Sequence, residues 1–229
     1  MTRLRIAEVF ESVQGEGQWA GVPSVFVRLS GCNLRCRWCD TPYSSWNPEG
    51  PVLEVLEVVA WVDRFGSRDV VVTGREPMLF PGSADLTRDL SGRGYRVTVE
   101  TAGTVDLPVV ADLMSISPKL AHSTPEGEWG ARHEEARWRP AVVRSLMNRY
   151  PHQLKFVVGE AVEADVAEIE ACLAELGEVD PRCVMLMPEG RESSVLWSRA
   201  RALVPVCLAK GWRLAPRMQI DLFGDTRGT

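Results

Sequence analysis

Short runs of apolar and β-branched residues alternate with longer amphipathic segments along most of the chain, and that alternation limits what it can fold into. Residues 6–10, 24–29, 70–73, 95–100, 113–117, 154–158 and 184–187 read as strands, with 212–214 as a last short one. Residues 53–65, 83–91, 161–176 and 193–208 carry helical spacing. A strand, a helix and a second strand in succession imply a crossover, and such crossovers build a parallel sheet with right-handed connections. About six units of this kind predict an α/β fold, an incomplete (β/α)6-type, TIM-like barrel rather than a closed eightfold one. Residues 120–140 break the pattern, being rich in Glu, Arg, Gly and Trp without a clear period. The expectation is a single domain over residues 1–229, with an insertion or lid at about 120–150.

Bulk properties exclude several classes. Of the 229 residues, 45% are hydrophobic and 25% charged, which suits a globular domain and not a disordered chain. The net charge of −5 offers no electrostatic reason to expect nucleic acid. No apolar run approaches the length of a membrane span, and the start, Met-Thr-Arg-Leu-Arg-Ile-Ala-Glu, is too polar for a signal peptide. A cytoplasmic location with reduced thiols is expected.

Three of the six cysteines, Cys32, Cys36 and Cys39, fall within eight residues with the spacing C-x3-C-x2-C. The others, Cys172, Cys183 and Cys207, sit among apolar neighbours and read as small buried hydrophobes. Clustered thiolates are soft ligands for an iron–sulfur cluster or for zinc. Structural zinc takes four ligands, usually in two pairs. No second cysteine pair follows, and the histidines are remote, at 122, 133 and 152. Three thiolates would leave one iron of a 4Fe–4S cubane without a protein ligand, open to a small chelating molecule. Zinc remains the alternative. Three further motifs, Thr73-Gly-Arg-Glu-Pro77, Ser117-Pro-Lys119 and Met187-Pro-Glu-Gly190, fall at predicted strand ends, where sites on parallel sheets gather.

The segment Gly31-Cys-Asn-Leu-Arg-Cys-Arg-Trp-Cys-Asp-Thr41 resembles the cluster loop of the radical S-adenosylmethionine (SAM) superfamily. The resemblance implies a 4Fe–4S cluster on Cys32, Cys36 and Cys39, whose open iron binds the amino and carboxylate groups of SAM. An electron from the reduced cluster then breaks a carbon–sulfur bond and yields a 5′-deoxyadenosyl radical. Thr73-Gly-Arg-Glu-Pro77 is similar to the superfamily's Gly-Gly-Glu-Pro motif, with Arg75 in place of the second glycine. There Glu76 would accept from the SAM ammonium. The implied SAM contacts are Trp38, Cys39, Asp40, Arg75, Glu76, Ser117, Pro118, Lys119, Met187, Pro188, Glu189 and Gly190. Trp38 packs over the cluster or the adenine, or is core; Asp40 most simply braces the loop.

A longer run narrows the family. Glu8-Val-Phe-Glu-Ser-Val-Gln-Gly-Glu-Gly17, Gly21-Val-Pro-Ser-Val-Phe-Val-Arg-Leu29 and the cysteine loop together resemble the 7-carboxy-7-deazaguanine synthase family of 7-deazapurine (queuosine-type) biosynthesis. Islands at Val99-Glu-Thr-Ala-Gly103, residues 115–119, Gln153-Leu-Lys155 and Pro216-Arg-Met-Gln219 extend the likeness over most of the chain, but not over 120–150. The family implies radical contraction of 6-carboxy-5,6,7,8-tetrahydropterin with loss of ammonia, assisted by Mg²⁺ on the substrate carboxylate. It assigns substrate contacts to Val13, Gln14, Gly15, Glu16, Arg28, Thr73 and the terminal Thr229, with Glu100 inside the barrel, and Mg²⁺ to Thr41. Arg28 can clamp a carboxylate through two parallel hydrogen bonds. A flavodoxin- or ferredoxin-type reductant and a homodimer are expected on the same ground. The competing readings are a glycyl-radical activase acting on a protein, and a non-enzymatic zinc module.

Overall fold

The computed structural model describes residues 2–74 and 76–229. Its nine strands form one sheet in the order β3-β1-β2-β4-β5-β6-β7-β8-β9. They are β1 (Arg3–Val13), β2 (Pro23–Leu29), β3 (Val52–Glu54), β4 (Asp69–Thr73), β5 (Arg96–Thr101), β6 (Leu113–Ile116), β7 (His152–Val158), β8 (Val184–Pro188) and β9 (Arg213–Leu214). From β2 through β4 to β9 every neighbouring pair is parallel. The two edges, β3 and β9, are different strands, so the sheet curls without closing. This is the incomplete barrel expected, with β9 as a seventh parallel strand.

Eight helices accompany the strands among the described residues: α1 (Pro42–Ser45), α2 (Val55–Val62), α3 (Gly82–Gly92), α4 (Gly130–Arg137), α5 (Pro140–Arg149), α6 (Val162–Leu176), α7 (Ser193–Lys210) and α8 (Met218–Phe223). α2, α3, α5, α6 and α7 pack on β2, β5, β6, β7 and β8 respectively. The two-residue side-chain period sorts each strand into an outer and an inner face. On the outer face Val25, Val27 and Leu29 of β2, Val70 and Val72 of β4, Val97 and Val99 of β5, and Leu154, Phe156 and Val158 of β7 join one core under the helices. The residues between them, including Arg28, Thr73, Glu100 and Lys155, turn to the barrel interior. A sheet buried on both faces thus carries its chemistry on every second residue.

The structure departs from the sequence reading at the amino-terminal edge. The first strand is longer than residues 6–10 because it has two partners. Arg3–Arg5 pair with β3 and the remainder with β2, both antiparallel. Its Glu and Ser residues break the apolar run and hide it from an apolar count. The helix read from 53 starts at Val55, since Val52–Glu54 form β3 and Glu54 is the N-cap. Its amide is capped in turn by the Glu57 carboxylate at 2.8 Å.

Residues 120–149 hold α4 and α5. α5 buries Val143 and Leu146 in the main core and forms the crossover from β6 to β7. α4 lies against the cysteine loop, where Ala136 packs on the cluster of Leu34, Cys36, Cys39 and Ala102.

Phe156 is fully buried in β7, between the central sheet and its helices. Phe156→Ala is expected to lower unfolding free energy by about 3–5 kcal/mol, through lost burial and a residual cavity, as read by denaturant titration.

Candidate active site

At the carboxyl ends of the parallel strands lies a cavity of about 390 Å³, within the range of small-molecule sites. Strand residues Phe26, Arg28, Thr73, Glu100, Ser115, Lys155, Val157 and Met187 form its walls. The turn after β1 adds Val13, Gln14, Gly15 and Glu16; the cysteine loop adds Trp38, Asp40 and Thr41; Ser117 and Lys119 follow β6. The chain end closes it with Arg217, Gln219 and residues 224–229. Every substrate contact anticipated from the sequence therefore reaches one space, Thr229 included. Among the anticipated SAM contacts, Trp38, Asp40, Ser117, Lys119 and Met187 line it, whereas Cys39, Glu76, Pro118, Pro188, Glu189 and Gly190 do not. Arg75 lies outside the described residues.

The turn is shaped by Gly17, at φ +75°, where a Cβ would stand 2.2 Å from Gln153 Nε2. Gln153 Oε1 accepts from Gln18 N at 2.8 Å, and its Nε2 donates to Ser115 Oγ at 2.8 Å. That contact fixes Glu16 beside β7. Glu16 is the centre of a buried charge network. Lys155 Nζ donates to its Oε2; Gln219 Nε2 and Arg217 Nε donate to its Oε1 at 2.8 and 3.2 Å. Arg217 also donates to Asp40 Oδ2 at 2.7 Å and to Gly190 O at 2.6 Å. Burial would push the Glu16 carboxyl up, but Lys155 and Arg217 overcome it and hold the group at about 2. Burial would pull the Lys155 ammonium down, and Glu16 and Glu100 raise it above its ordinary value. Glu100 is itself held by Thr73 Oγ1 at 2.6 Å and Gln14 Nε2 at 3.3 Å.

Arg28 is aimed by Glu8, whose Oε2 accepts from its Nε at 2.9 Å. The other Glu8 oxygen accepts from Arg227 Nε of the tail. The Arg227 guanidinium also stacks 4.1 Å from the Tyr43 ring centroid. One carboxylate thus joins the strand arginine to the segment that covers the cavity.

The motif after β4 begins at Gly74, with φ +95° and its Cα so close to β2 that a Cβ would stand 2.1 Å from Leu29 O. Glu76, two residues on, is wholly buried. Its carboxylate accepts from Thr101 Oγ1 at 2.8 Å, Ala102 N at 3.0 Å, Thr104 Oγ1 at 3.1 Å and Met78 N at 3.1 Å. Burial pushes this carboxyl up despite those donors. Thr104 Oγ1 in turn meets Asn33, its Oδ1 at 3.2 Å and its Nδ2 at 3.1 Å. Glu76 therefore braces the loop after β5 and, through Thr104, the cysteine loop.

The residues suit the groups that the cysteine motif implies. Cys36 and Cys39 are buried in one apolar cluster with Leu34 and Ala102, against which Cys32, Trp38 and Ala136 pack. Among the described residues no three His, Cys, Asp or Glu side chains converge on a single ion. A cubane asks for wider spacing, since each thiolate takes its own iron. Trp38 Nε1 is buried without a partner among the described residues, on a side chain that faces the cavity and contacts the apolar group of Val157, Met185, Met187 and Ala215. An apolar wall with one unmet N–H donor could hold the aromatic ring of a cofactor. Thr41 brings a neutral hydroxyl to the cavity, a donor type that Mg²⁺ accepts.

Sequence reasoning gave no role to Lys155, Arg217, Gln219, Tyr43 or Arg227. Lys155 had a usable signal, a single cation alternating with apolar residues in a strand buried on both faces. Arg217 and Gln219 lie where no period exists to assign a face.

Glu16→Gln removes the carboxylate bonded to buried Lys155 and one of the two on Arg217, which keeps Asp40, so we expect a loss on the order of 3 kcal/mol at neutral pH. The Glu16 carboxyl is lowered on folding, so its contribution is complete above about 4.5 and is lost as pH falls toward about 2. Denaturant titrations of both proteins across that range should show the gap closing.

Residues 26–122 match the Radical SAM superfamily. The chain is 41% identical to the 7-carboxy-7-deazaguanine synthase of Halobacterium salinarum, covering 99% of this chain and 93% of that one. It is 42% identical to the enzyme of the same name from Rhodopirellula baltica, covering 99% and 89%. The crystal structure of QueE from Escherichia coli superposes with a TM-score of 0.72 at 25% identity, over 93% of both chains. The chain is a radical SAM enzyme and belongs to the 7-carboxy-7-deazaguanine synthase family.

Proposed function

We propose that the chain converts 6-carboxy-5,6,7,8-tetrahydropterin to 7-carboxy-7-deazaguanine, by ring contraction with loss of ammonia, in queuosine-type 7-deazapurine biosynthesis. The observation that carries this reading is one cavity holding an aimed arginine, Arg28, together with an acid kept ionised in the interior, Glu16. A carboxypterin needs both, a cation for its carboxylate and an acceptor for the N–H groups of its ring edge.

In this reading Arg28 clamps the substrate carboxylate, and Glu8 presents it. The backbone of Val13, Gln14 and Gly15 reads the pterin edge, while Glu16 accepts from the ring amine. Lys155, Arg217 and Gln219 fix the Glu16 carboxylate so that it cannot rotate away. Thr73 and Glu100 pair on the floor of the cavity and hold the ring from the β4–β5 side. Trp38, Val157 and Met187 form the wall for the SAM adenine, with Ser117 and Lys119 toward its polar groups. Cys32, Cys36 and Cys39 hold the 4Fe–4S cluster. With cluster and SAM bound, the site would have the superfamily's radical chemistry, and the cavity residues would orient the substrate for it. Thr41 would offer its hydroxyl to Mg²⁺. The tail from Gly224 to Thr229 keeps water out. The electron comes from a flavodoxin- or ferredoxin-type donor, and the working unit is a homodimer.

The test is turnover by the anaerobically reconstituted protein with SAM, reductant and the carboxypterin, followed by the deazaguanine chromophore. Cys36→Ala should lose both cluster absorption and product. Arg28→Ala should lower kcat/KM roughly ten- to a hundredfold, mainly through KM, as expected for one charge-assisted clamp. Omitting Mg²⁺ should slow turnover. Absence of product, with a radical formed instead on a partner protein, would favour the activase reading.

A further inference from the structure

Residues 120–137 have no part in the reaction above, yet they bury two polar residues beside the cysteine loop, His133 with its ring on the loop and Ser123 with its carbonyl on the loop and its hydroxyl on His133. Ser123 and His133 are 0% and 1% exposed. The loop from Cys32 to Cys39 runs without helix or strand pairing, so its amides need partners of another kind. Leu34 N turns to Cys32 Sγ at 3.3 Å, and Cys39 N to Cys36 O at 3.2 Å. The two amides on either side of Cys36 leave the loop altogether. Arg35 N donates to His133 Nδ1 at 3.0 Å, and Arg37 N donates to Ser123 O at 2.9 Å.

The two acceptors are themselves joined. His133 Nε2 and Ser123 Oγ stand 2.9 Å apart. Because Nδ1 accepts from an amide, the neutral ring carries its proton on Nε2, and Ser123 Oγ is the acceptor. Burial, with Arg137 nearby, brings the imidazole down to about 4, so it is neutral at ordinary pH. Ala136, on the same helix, packs on Leu34, Cys36 and Cys39. The Arg35 side chain ties the other end of the turn, donating to Cys32 O at 2.7 Å and Leu34 O at 2.8 Å, while its guanidinium lies 4.5 Å from the Trp129 ring centroid.

We infer that Ser123 and His133 form an outer brace for the cluster, positioning residues that fix Cys36 by gripping the amides before and after it. The brace rests on the reading that the three cysteines hold a 4Fe–4S cluster, and it acts through the loop without touching metal. Its mechanical logic is local. Without the imidazole, the Arg35 amide loses its acceptor, and the loop must shift to find another or reach water. A shift of one residue beside a ligand moves that ligand. Partners outside the ligand shell typically control metal retention by ten- to a hundredfold.

The test compares wild type with His133→Asn and His133→Leu, all reconstituted anaerobically. Asparagine can offer a carbonyl oxygen in place of Nδ1; leucine fills the space and accepts nothing. The readouts are iron release to a ferrous chelator in the absence of SAM, the electron paramagnetic resonance signal of the reduced cluster, and its midpoint potential. We expect the leucine variant to release iron roughly ten- to a hundredfold faster, with a broadened or shifted signal, and the asparagine variant to stay close to wild type. Thermal melts of the three apoproteins report folding separately. If the leucine variant does not fold, Ser123→Ala carries the test, since it removes the Nε2 partner and keeps the carbonyl. Faster iron release than wild type supports the brace, and an unchanged rate overturns it. A folded leucine variant with wild-type retention and signal overturns it too, as does an asparagine variant as leaky as leucine. Cluster uptake by the wild-type chain separates this inference from its premise: no uptake sinks both, whereas uptake with indifferent variants sinks the brace alone.

Discussion

A carboxylate buried between a lysine and an arginine is the interaction on which this site depends. Glu16 comes from the turn after β1, Lys155 from β7 and Arg217 from the loop after β9. These positions are remote in sequence, and the sheet alone does not bring turn and chain end together. Desolvating such a group of charges costs several kcal/mol per ion and returns little net stability compared with an apolar core. What it provides is placement. With Gln219, Asp40 and the Gly190 carbonyl completing the hydrogen bonds, the network tolerates few arrangements of the three segments. These bonds, made within the chain, set the shape of the cavity wall.

The same economy governs the cysteine loop, where the difficulty is backbone rather than charge. A stretch that must present three thiolates cannot spend its amides on a helix or a ladder. The chain answers from two directions. Glu76 reaches the loop through Thr104 and Asn33, and the 123–133 region takes the amides around Cys36. Glu76 thus works behind the cavity wall. Four donors saturate a carboxylate that burial would otherwise leave costly.

What could be read from the sequence follows from periodicity. The parallel strands and their helices were visible because β4 and β8 are apolar runs, β2, β5 and β7 alternate β-branched or apolar residues with polar ones, and α6 and α7 carry a helical stripe. β3 was hidden, being three residues long and continuous with an apolar helix. α4 was hidden for the opposite reason: its residues are mostly charged and its buried anchor is a histidine. The site residues that were legible lie in short motifs at strand ends. Those that were missed, Arg217 and Gln219 above all, sit in a segment whose position is set by what it binds, not by a local pattern. Lys155 lies between these cases, since an isolated cation in a doubly buried strand has to face an interior partner.

Glu8 shows how the tail enters the same scheme. One of its oxygens aims Arg28 from the β1–β2 hairpin and the other takes Arg227 of the tail. Both cations lean on aromatic rings, Arg28 at 5.7 Å from the Phe10 centroid and Arg227 at 4.1 Å from that of Tyr43. A single carboxylate cannot hold two guanidiniums without linking their positions. A displacement of the tail therefore changes the charge balance around Arg28, and a ligand carboxylate on Arg28 competes with Glu8 for it. In the proposed function, the substrate-clamping arginine and the tail thus share one carboxylate, Glu8. The Glu8 carboxylate is largely buried while Arg227 stays half exposed, so the link runs from the surface of the tail to the interior.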